Sequence, residues 1–370
     1  MTWGNRLRLT VFGESHGPAI GAVLEGLPAG EEIDLQEVQK QMARRAPGRD
    51  RSATQRREND EPEILSGTLD GRTTGAPLCA VIRNTDIRSS DYDAMRNIPR
   101  PGHADYPAFV RYGGFNDVRG GGRFSGRLTA PLVFAGAVCR QILSRRGVTI
   151  GAHVFAVHGV EDSPFDPVDL PAALLEDLSA RYFPTIDRGA KAAMRVQIEK
   201  ARKGLDSVGG IVECAAVGLP AGAGGPLSEG VESSLSSLLF AIPACKGVEF
   251  GAGFRAAGML GSADNDPFYY DGDRVKTRTN HAGGILGGIT TGMPLVFRAA
   301  FKPTPSIGLE QDSVDLGLHQ NARLAVRGRH DPCIVPRAVP AVEAAAAVAL
   351  LDLLQAEPAG TARFGPPHGT

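Results

Sequence analysis

The sequence predicts an α+β fold assembled from two similar half-units, and three observations point to it. The chain echoes itself: Gly26-Leu27-Pro28-Ala29-Gly30 returns as Gly218-Leu219-Pro220-Ala221-Gly222, and Thr73-Thr74-Gly75-Ala76-Pro77-Leu78 returns as Thr290-Thr291-Gly292-Met293-Pro294-Leu295, in the same order. In each copy a strand-like run leads into the first motif, a helical run follows it, and Ile-Leu-x-Gly (Ile64 to Gly67, Ile285 to Gly288) stands before the second. Two long runs, Ser125 to Leu143 and Val339 to Leu354, are apolar on nearly all sides and read as buried helices. The half-units span about 7–82 and 207–298 within one body, residues 1–356, and the Gly/Pro-rich residues 357–370 read as a flexible tail.

Leu7 to Val11 and Ala19 to Glu25 have the small and β-branched residues of strands, flanking the turn Gly13-Glu14-Ser15-His16-Gly17. Asp34 is placed to cap a helix carrying Leu35, Val38 and Met42 on one face, and Pro47-Gly48 ends it. Two stretches, Arg83 to Gly122 and Ala299 to Pro336, show no regular pattern. Irregular segments longer than about 15 residues inside a folded chain are usually either functional or disordered, and because these hold most of the candidate chemistry they read as functional.

Bulk properties narrow the function. Among 370 residues, 42% are apolar and 22% charged, and the net charge of -1 gives no global attraction to nucleic acid or membrane. No basic leader precedes an apolar stretch, and no run approaches the roughly 20 apolar residues of a bilayer span, which predicts a cytoplasmic protein. Cys79, Cys139, Cys214, Cys245 and Cys333 are odd in number and far apart, as expected of buried small hydrophobes rather than a disulfide framework.

The candidate chemistry is cationic. Lys40, Arg44, Arg45, Arg49, Arg51, Arg56 and Arg57 face one acid, Asp50, in a stretch without aromatics. Guanidinium groups clamp phosphate or carboxylate, so the stretch suits a small polyanion better than single-stranded nucleic acid. His16 and His103 each sit in a tight turn, where groups titrating near neutrality are placed to donate or hold a proton. Arg119 to Arg127 places three consecutive glycines and Ser125 before the long helix, offering backbone N–H groups to an anion or cofactor. The segment is neither a dinucleotide fingerprint nor a P-loop. Asp331 lies among the basic residues Arg327, Arg329 and His330, with Lys302 and Ser306 upstream, and is a candidate base or an arginine anchor. No spacing of histidines or cysteines suggests a metal site.

These segments together resemble the chorismate synthases. Gly13 to Gly17 with Glu25 to Gly30, Arg100-Pro101-Gly102-His103-Ala104-Asp105, Gly120 to Arg127 and Arg329-His330-Asp331-Pro332 occur in the family's order and span nearly the whole chain. Thr54 to Glu58, Lys246 to Phe250 and Lys302-Pro303 are similar too. The resemblance implies a pseudo-symmetric β-α-β sandwich, a homotetramer, reduced FMN as cofactor and 5-enolpyruvylshikimate 3-phosphate as substrate. It further implies His16 as acid toward the departing phosphate, His103 as partner of the anionic flavin, and Asp331 as the aspartate assisting proton removal. Arg45, Arg51, Arg127 and Arg329 correspond to substrate-binding arginines, and Arg123, Ser125, Gly126, Lys302 and Ser306 to flavin-binding positions.

Phe124, Gly126, Leu128, Arg49 and Pro243 depart from common family residues. NAD(P)H-dependent flavin reduction occurs within some members, but no added domain is visible here, which points to a separate flavin reductase. A flavin oxidoreductase and an RNA-binding module are the rival classes. The first lacks a nicotinamide fingerprint, and the second lacks both a basic excess and interleaved aromatics.

Overall fold

In the computed structural model, which describes residues 2–48, 60–85, 97–326 and 331–355, two five-stranded sheets enclose a layer of helices. The first sheet runs Pro62–Ser66, Leu78–Arg83, Ala19–Glu25, Arg8–Gly13, Thr2–Trp3 from edge to edge; the second runs Cys245–Phe250, Leu295–Phe301, Gly210–Val217, Thr149–Val157, Val160–Glu161. All neighbours are antiparallel. Period-two patterning sets the faces: Ile20, Ala22, Leu24, Leu78, Ala80 and Ile82 point into the core, while alternating Val23 and Val81 are only half-buried.

The two orders match over four strands, the edge strands Thr2–Trp3 and Val160–Glu161 differing in chain order, and the match extends to hydrogen bonds. Thr73 Oγ1 donates to Pro28 O at 2.5 Å and accepts from Glu31 N at 2.9 Å. Thr290 Oγ1 donates to Pro220 O at 2.6 Å and accepts from Ala223 N at 2.9 Å. The paired motifs of the sequence are thus the same clasp built twice. One detail of the echo is out of register. Thr74 N donates to Gly67 O and Thr291 N to Gly284 O, so the counterpart of Gly67 is Gly284 rather than Gly288, and the Ile-Leu-x-Gly similarity is not structural. The correspondence also reaches further than 207–298, because Thr149–Val157 occupies the place of Arg8–Gly13.

Between Thr149–Val157 and Gly210–Val217 the second half-unit carries an insertion with helices Ala172–Ser179 and Arg188–Lys203. Phe165, Leu170, Leu175 and Leu178 cover Ala215 and Val296 on that sheet. A buried imidazole fastens the insertion: His153 lies 2.9 Å from Asp162 through Nδ1 and 2.9 Å from Glu213 through Nε2. Asp162 in turn accepts from the backbone of Ile186 at 2.7 Å and Asp187 at 2.8 Å. Burial opposes the charge on His153, but the two carboxylates outweigh it and raise its pKa above 6.5.

The helical layer contains Leu35–Arg45, Thr129–Arg145, Val231–Leu239 and Val335–Gln355. Asp34 caps the first, accepting from Gln36 N and Glu37 N. Val38 and Met42 are buried as the pattern predicts, but Leu35, at the first helical position, is 54% exposed; Gln41, Arg44 and Arg45 complete the buried face. The second helix starts at Thr129 rather than Ser125, after a short 3-10 turn at Gly126–Leu128. Pro131 sits in its first turn, where no intrahelical N–H is required. Val335–Gln355 starts four residues earlier than the sequence pattern suggests (335 against 339), with Pro336 likewise in the first turn.

Val335–Gln355 is long and apolar enough to cross a bilayer, unlike any run anticipated from the sequence, but 89% of its apolar window is buried and it serves as a core helix. It crosses Thr129–Arg145 so closely that a Cβ at Gly136 would come under 3.0 Å from Ala344 Cα. Glu343 is buried beside this crossing and accepts from Arg44 at 2.5 Å, Arg140 at 3.3 Å, Ser179 at 3.2 Å and Ala152 N at 3.0 Å.

The two irregular stretches contain modest regular structure: helix Asp105–Tyr112 in one, and in the other the end of strand Leu295–Phe301 and a hairpin, Gln311–Asp315 with Gln320–Leu324. All five cysteines are free, and four of them are buried. The expected tail, 357–370, lies outside the described residues.

Candidate active site

A cavity of about 780 Å³ opens where the long helices Thr129–Arg145 and Val335–Gln355 begin. Of the residues singled out from the sequence, Arg45, His103, Arg123, Ser125, Gly126, Arg127, Lys302, Ser306 and Asp331 line it. Arg51 and Arg329 lie outside the described residues, as do Arg49, Arg56, Arg57 and His330. Arg44, from the same basic run, belongs to the core, where it pairs with Glu343.

One wall is built around a carboxylate the sequence reading passed over. Arg45, in the last turn of its helix, donates to Asp60 at 2.6 Å, to Thr129 Oγ1 at 3.1 Å and to Gly126 O at 3.2 Å. Arg127 donates to the other Asp60 oxygen and, through Nε, to Asn84 Oδ1 at 3.0 Å. Burial lowers the Arg45 guanidinium to about 10, Asp60 partly offsetting the effect, so it remains charged at neutral pH. For Asp60, burial pushes the carboxyl upward, but Arg45 and Arg127 more than compensate and hold it below the usual range.

A second wall holds His103. Its Nδ1 lies 2.5 Å from Asp105 Oδ1, and Arg100 donates to both oxygens of the same carboxylate at 2.7 and 2.9 Å. Although burial opposes ionisation, hydrogen bonds from Arg100 and His103 hold Asp105 well below the ordinary carboxylate range. An ionised carboxylate only accepts, so Nδ1 carries the proton, and Nε2 is the accepting ring nitrogen, with Arg100 Nη2 3.4 Å away. Arg100 also donates to Ser306 Oγ at 3.2 Å, and Lys302 Nζ donates to Gly102 O, tying this turn to the second half-unit. Burial, with Lys246 nearby, lowers the Lys302 pKa.

His16 is placed differently from expectation. It is 5% exposed and does not line the cavity; it sits behind Gly120, which does. Gly120, Gly121 and Gly122 have φ of 59°, 82° and 52°, left-handed values that favour glycine. A Cβ at Gly120 would come under 3.0 Å from the His16 ring, and one at Gly121 would stand 2.9 Å from His103 Nε2. The triple glycine is therefore a thin partition between two imidazoles. The sequence suggests an anion cradle; the close approach of both rings gives a more specific reason for it. Asn84 donates to Glu14 O at 3.1 Å and Gly17 O at 2.8 Å, coupling the His16 turn to Arg127.

Asp331 is anchored: it accepts from Arg337 Nη1 at 2.6 Å, while Arg337 Nε donates to Arg45 O at 3.0 Å. Arg100, Arg337, Asp60 and Asn84 are thus the residues that sequence reasoning missed. Arg100 and Asp105 flank His103 in the motif, and this spacing of cation, imidazole and carboxylate was the available signal. Asp60, Asn84 and Arg337 carry no local signature. Phe124, Phe240, Ile242, Pro243 and Ile334 give the cavity lining an apolar part.

A concave site with apolar lining, a fixed cationic wall and a half-buried His–Asp pair has the character of an enzyme site for small, anionic metabolites. The comparisons specify which. The chorismate synthase family profile matches residues 7–355, and the chain belongs to the chorismate synthase family. Chorismate synthase from Thermococcus kodakarensis is 50% identical over 351 residues, covering 95% of this chain and 96% of the relative; that from Thermococcus gammatolerans is 51% identical over the same length and coverage. A crystal structure of a chorismate synthase superposes with a TM-score of 0.75 at 28% identity, covering 95% of this chain and 93% of the other. The chain is accordingly an enzyme of the lyase class serving aromatic amino acid biosynthesis.

Proposed function

We propose that the enzyme removes the 3-phosphate and a C6 hydrogen from 5-enolpyruvylshikimate 3-phosphate by 1,4-elimination, giving chorismate and phosphate, with reduced FMN required and no net redox change. The observation that carries this reading is the juxtaposition of the Arg45–Asp60–Arg127 wall with the Asp105-held His103 across one cavity. A dianionic phosphate requires fixed cations. A flavin requires an apolar face, with cations for its own phosphate, and the donor set fits: Phe124, Ile242 and Pro243 form the first, Lys246 and Lys302 the second.

Arg45 and Arg127 bind and orient the substrate's anionic groups. Arg123, Ser125, Gly126, Lys302 and Ser306 hold the flavin, and His103, through Nε2, holds a proton beside it. Asp331, oriented by Arg337, assists departure of the C6 proton. His16 supplies a proton toward the phosphate past the Gly120 backbone. Reduced FMN, when bound, lends electron density that helps expel phosphate from a position that no carbonyl acidifies. Residues 1–356 act as one catalytic unit; a cytoplasmic homotetramer served by a separate flavin reductase completes the reading.

The test is an anaerobic assay with 5-enolpyruvylshikimate 3-phosphate and chemically reduced FMN, following phosphate and chorismate together. Equal release of both, only with reduced flavin and with flavin still reduced at the end, is the expected result. Folded, flavin-bound protein that releases no chorismate would refute the reading.

A further inference from the structure

We propose that Asp60 is a positioning residue that fixes Arg45 and Arg127 as a rigid pair of guanidiniums for the substrate's anionic group. The inference rests on the functional reading above and adds to it a residue that touches no ligand.

Three observations carry it. Asp60 is fully buried at its side chain and is not among the cavity-lining residues, whereas both of its partners are. Its two oxygens are divided between arginines from distant segments: one takes the Arg45 bond at 2.6 Å and the other the Arg127 bond. Its backbone has φ of 50°, a left-handed conformation uncommon outside glycine, which the surrounding contacts hold in place.

The physics follows from charge and geometry. Two guanidiniums converging on one wall repel each other, and each loses hydration on burial. A carboxylate between them reverses the repulsion. It also fixes the plane of each planar fork, so that neither must be ordered when an anion arrives. Exposed to the cavity, the same carboxylate would repel an anionic ligand; held behind the arginines, it leaves the wall with one net positive charge. Thr129 and Gly126 O give Arg45 a second anchor and Asn84 does so for Arg127, and Asp60 bonds to both.

The test compares wild type with Asp60→Asn and Asp60→Glu by calorimetric titration with 5-enolpyruvylshikimate 3-phosphate, alongside thermal melting and steady-state kinetics. In Asp60→Asn, a neutral side chain of the same shape, Kd is expected to rise about 10- to 100-fold, with KM following and kcat falling less. Asp60→Glu, which keeps the charge but displaces it by one methylene, should recover part of the affinity. A merely structural role would lower the melting temperature without this split between KM and kcat. Unchanged Kd and KM in folded Asp60→Asn would overturn the proposal; if that variant does not fold, unchanged affinity in Asp60→Glu would do so. Affinity judges Asp60, and chorismate formation by wild type judges the functional reading, so the two fail separately. Wild type that does not bind the substrate refutes both.

Discussion

Replacing Gly120 by alanine tests the partition between the two imidazoles. The residue has φ of 59°, so a Cβ there carries backbone strain of about 1–2 kcal/mol. Strain alone is uninformative, and Gly147 provides the control: its φ is 80°, and a Cβ there would meet no atom within 4 Å among the described residues. Gly147→Ala should show the strain alone in urea unfolding, and Gly120→Ala at least that much. Only Gly120→Ala pushes on His16, because its Cβ would stand under 3.0 Å from the ring, a separation that the ring must open by moving. Displacing a catalytic group by about 1 Å costs on the order of 100-fold in rate. The assay is the initial rate of chorismate formation under anaerobic conditions with reduced FMN, and Gly147→Ala should keep the wild-type rate. If Gly120→Ala also keeps it, while losing no more stability than the control, then either His16 is not required or its placement behind the glycines is not what makes it act.

Three further expectations concern the scaffold. Glu343→Ala leaves the buried Arg44 and the half-buried Arg140 without their carboxylate, and should destabilise the protein by about 3–5 kcal/mol, read from urea unfolding. Thr73→Val and Thr290→Val each remove the two-bond clasp from one half-unit; each should cost about 1–3 kcal/mol, and the double variant should show the sum, the sites being equivalent but separate. The pKa of His153 is raised in the folded state, so its contribution to stability is complete below the unfolded value of about 6.5 and is lost as pH rises through the folded value. Wild type should therefore lose melting temperature with rising pH above about 6.5, and His153→Gln should flatten that slope; a slope unchanged by the substitution would exclude the imidazole as its source.

Local chemistry was legible in the sequence wherever a residue and its reason lay close together. Asp34 and the helix it caps are neighbours, Ala19–Glu25 has the composition of its strand, and Thr73 and Thr290 stand in motifs that repeat. What could not be read depends on long-range approach. Leu35 looks like a core residue on a helical wheel, and only its place at the helix end exposes it. Arg44 and Arg45 are adjacent and chemically identical, yet one side chain meets Glu343, 299 residues away in sequence, and the other faces the cavity. Helical rotation separates them, and no spacing rule tells which face meets the site. The strand Thr149–Val157 carries no sequence sign of its half-unit, because the insertion displaces it from the motif that follows.

The position of the site follows from the duplication. In each half-unit the chain passes from an inner strand, Leu78–Arg83 or Leu295–Phe301, through a long irregular link to a long buried helix, Thr129–Arg145 or Val335–Gln355. Those links take in the two stretches that lack a regular sequence pattern, the first extended through Leu128, and they carry His103, Arg123, Ser125 and Arg127 on one side and Lys302, Ser306 and Asp331 on the other. Because both helices begin at the cavity, two positive helix ends converge there, a favourable field for anions before any side chain is counted. The scaffold is symmetric but the links are not: one contributes an imidazole and arginines, the other a lysine and a carboxylate. Neither half can complete the site alone. Nor can either half bury its own long helix, since the Gly136–Ala344 approach needs both. The contact that closes the core is therefore the one that brings the two links together, and folding of the halves onto each other is also the assembly of the active site.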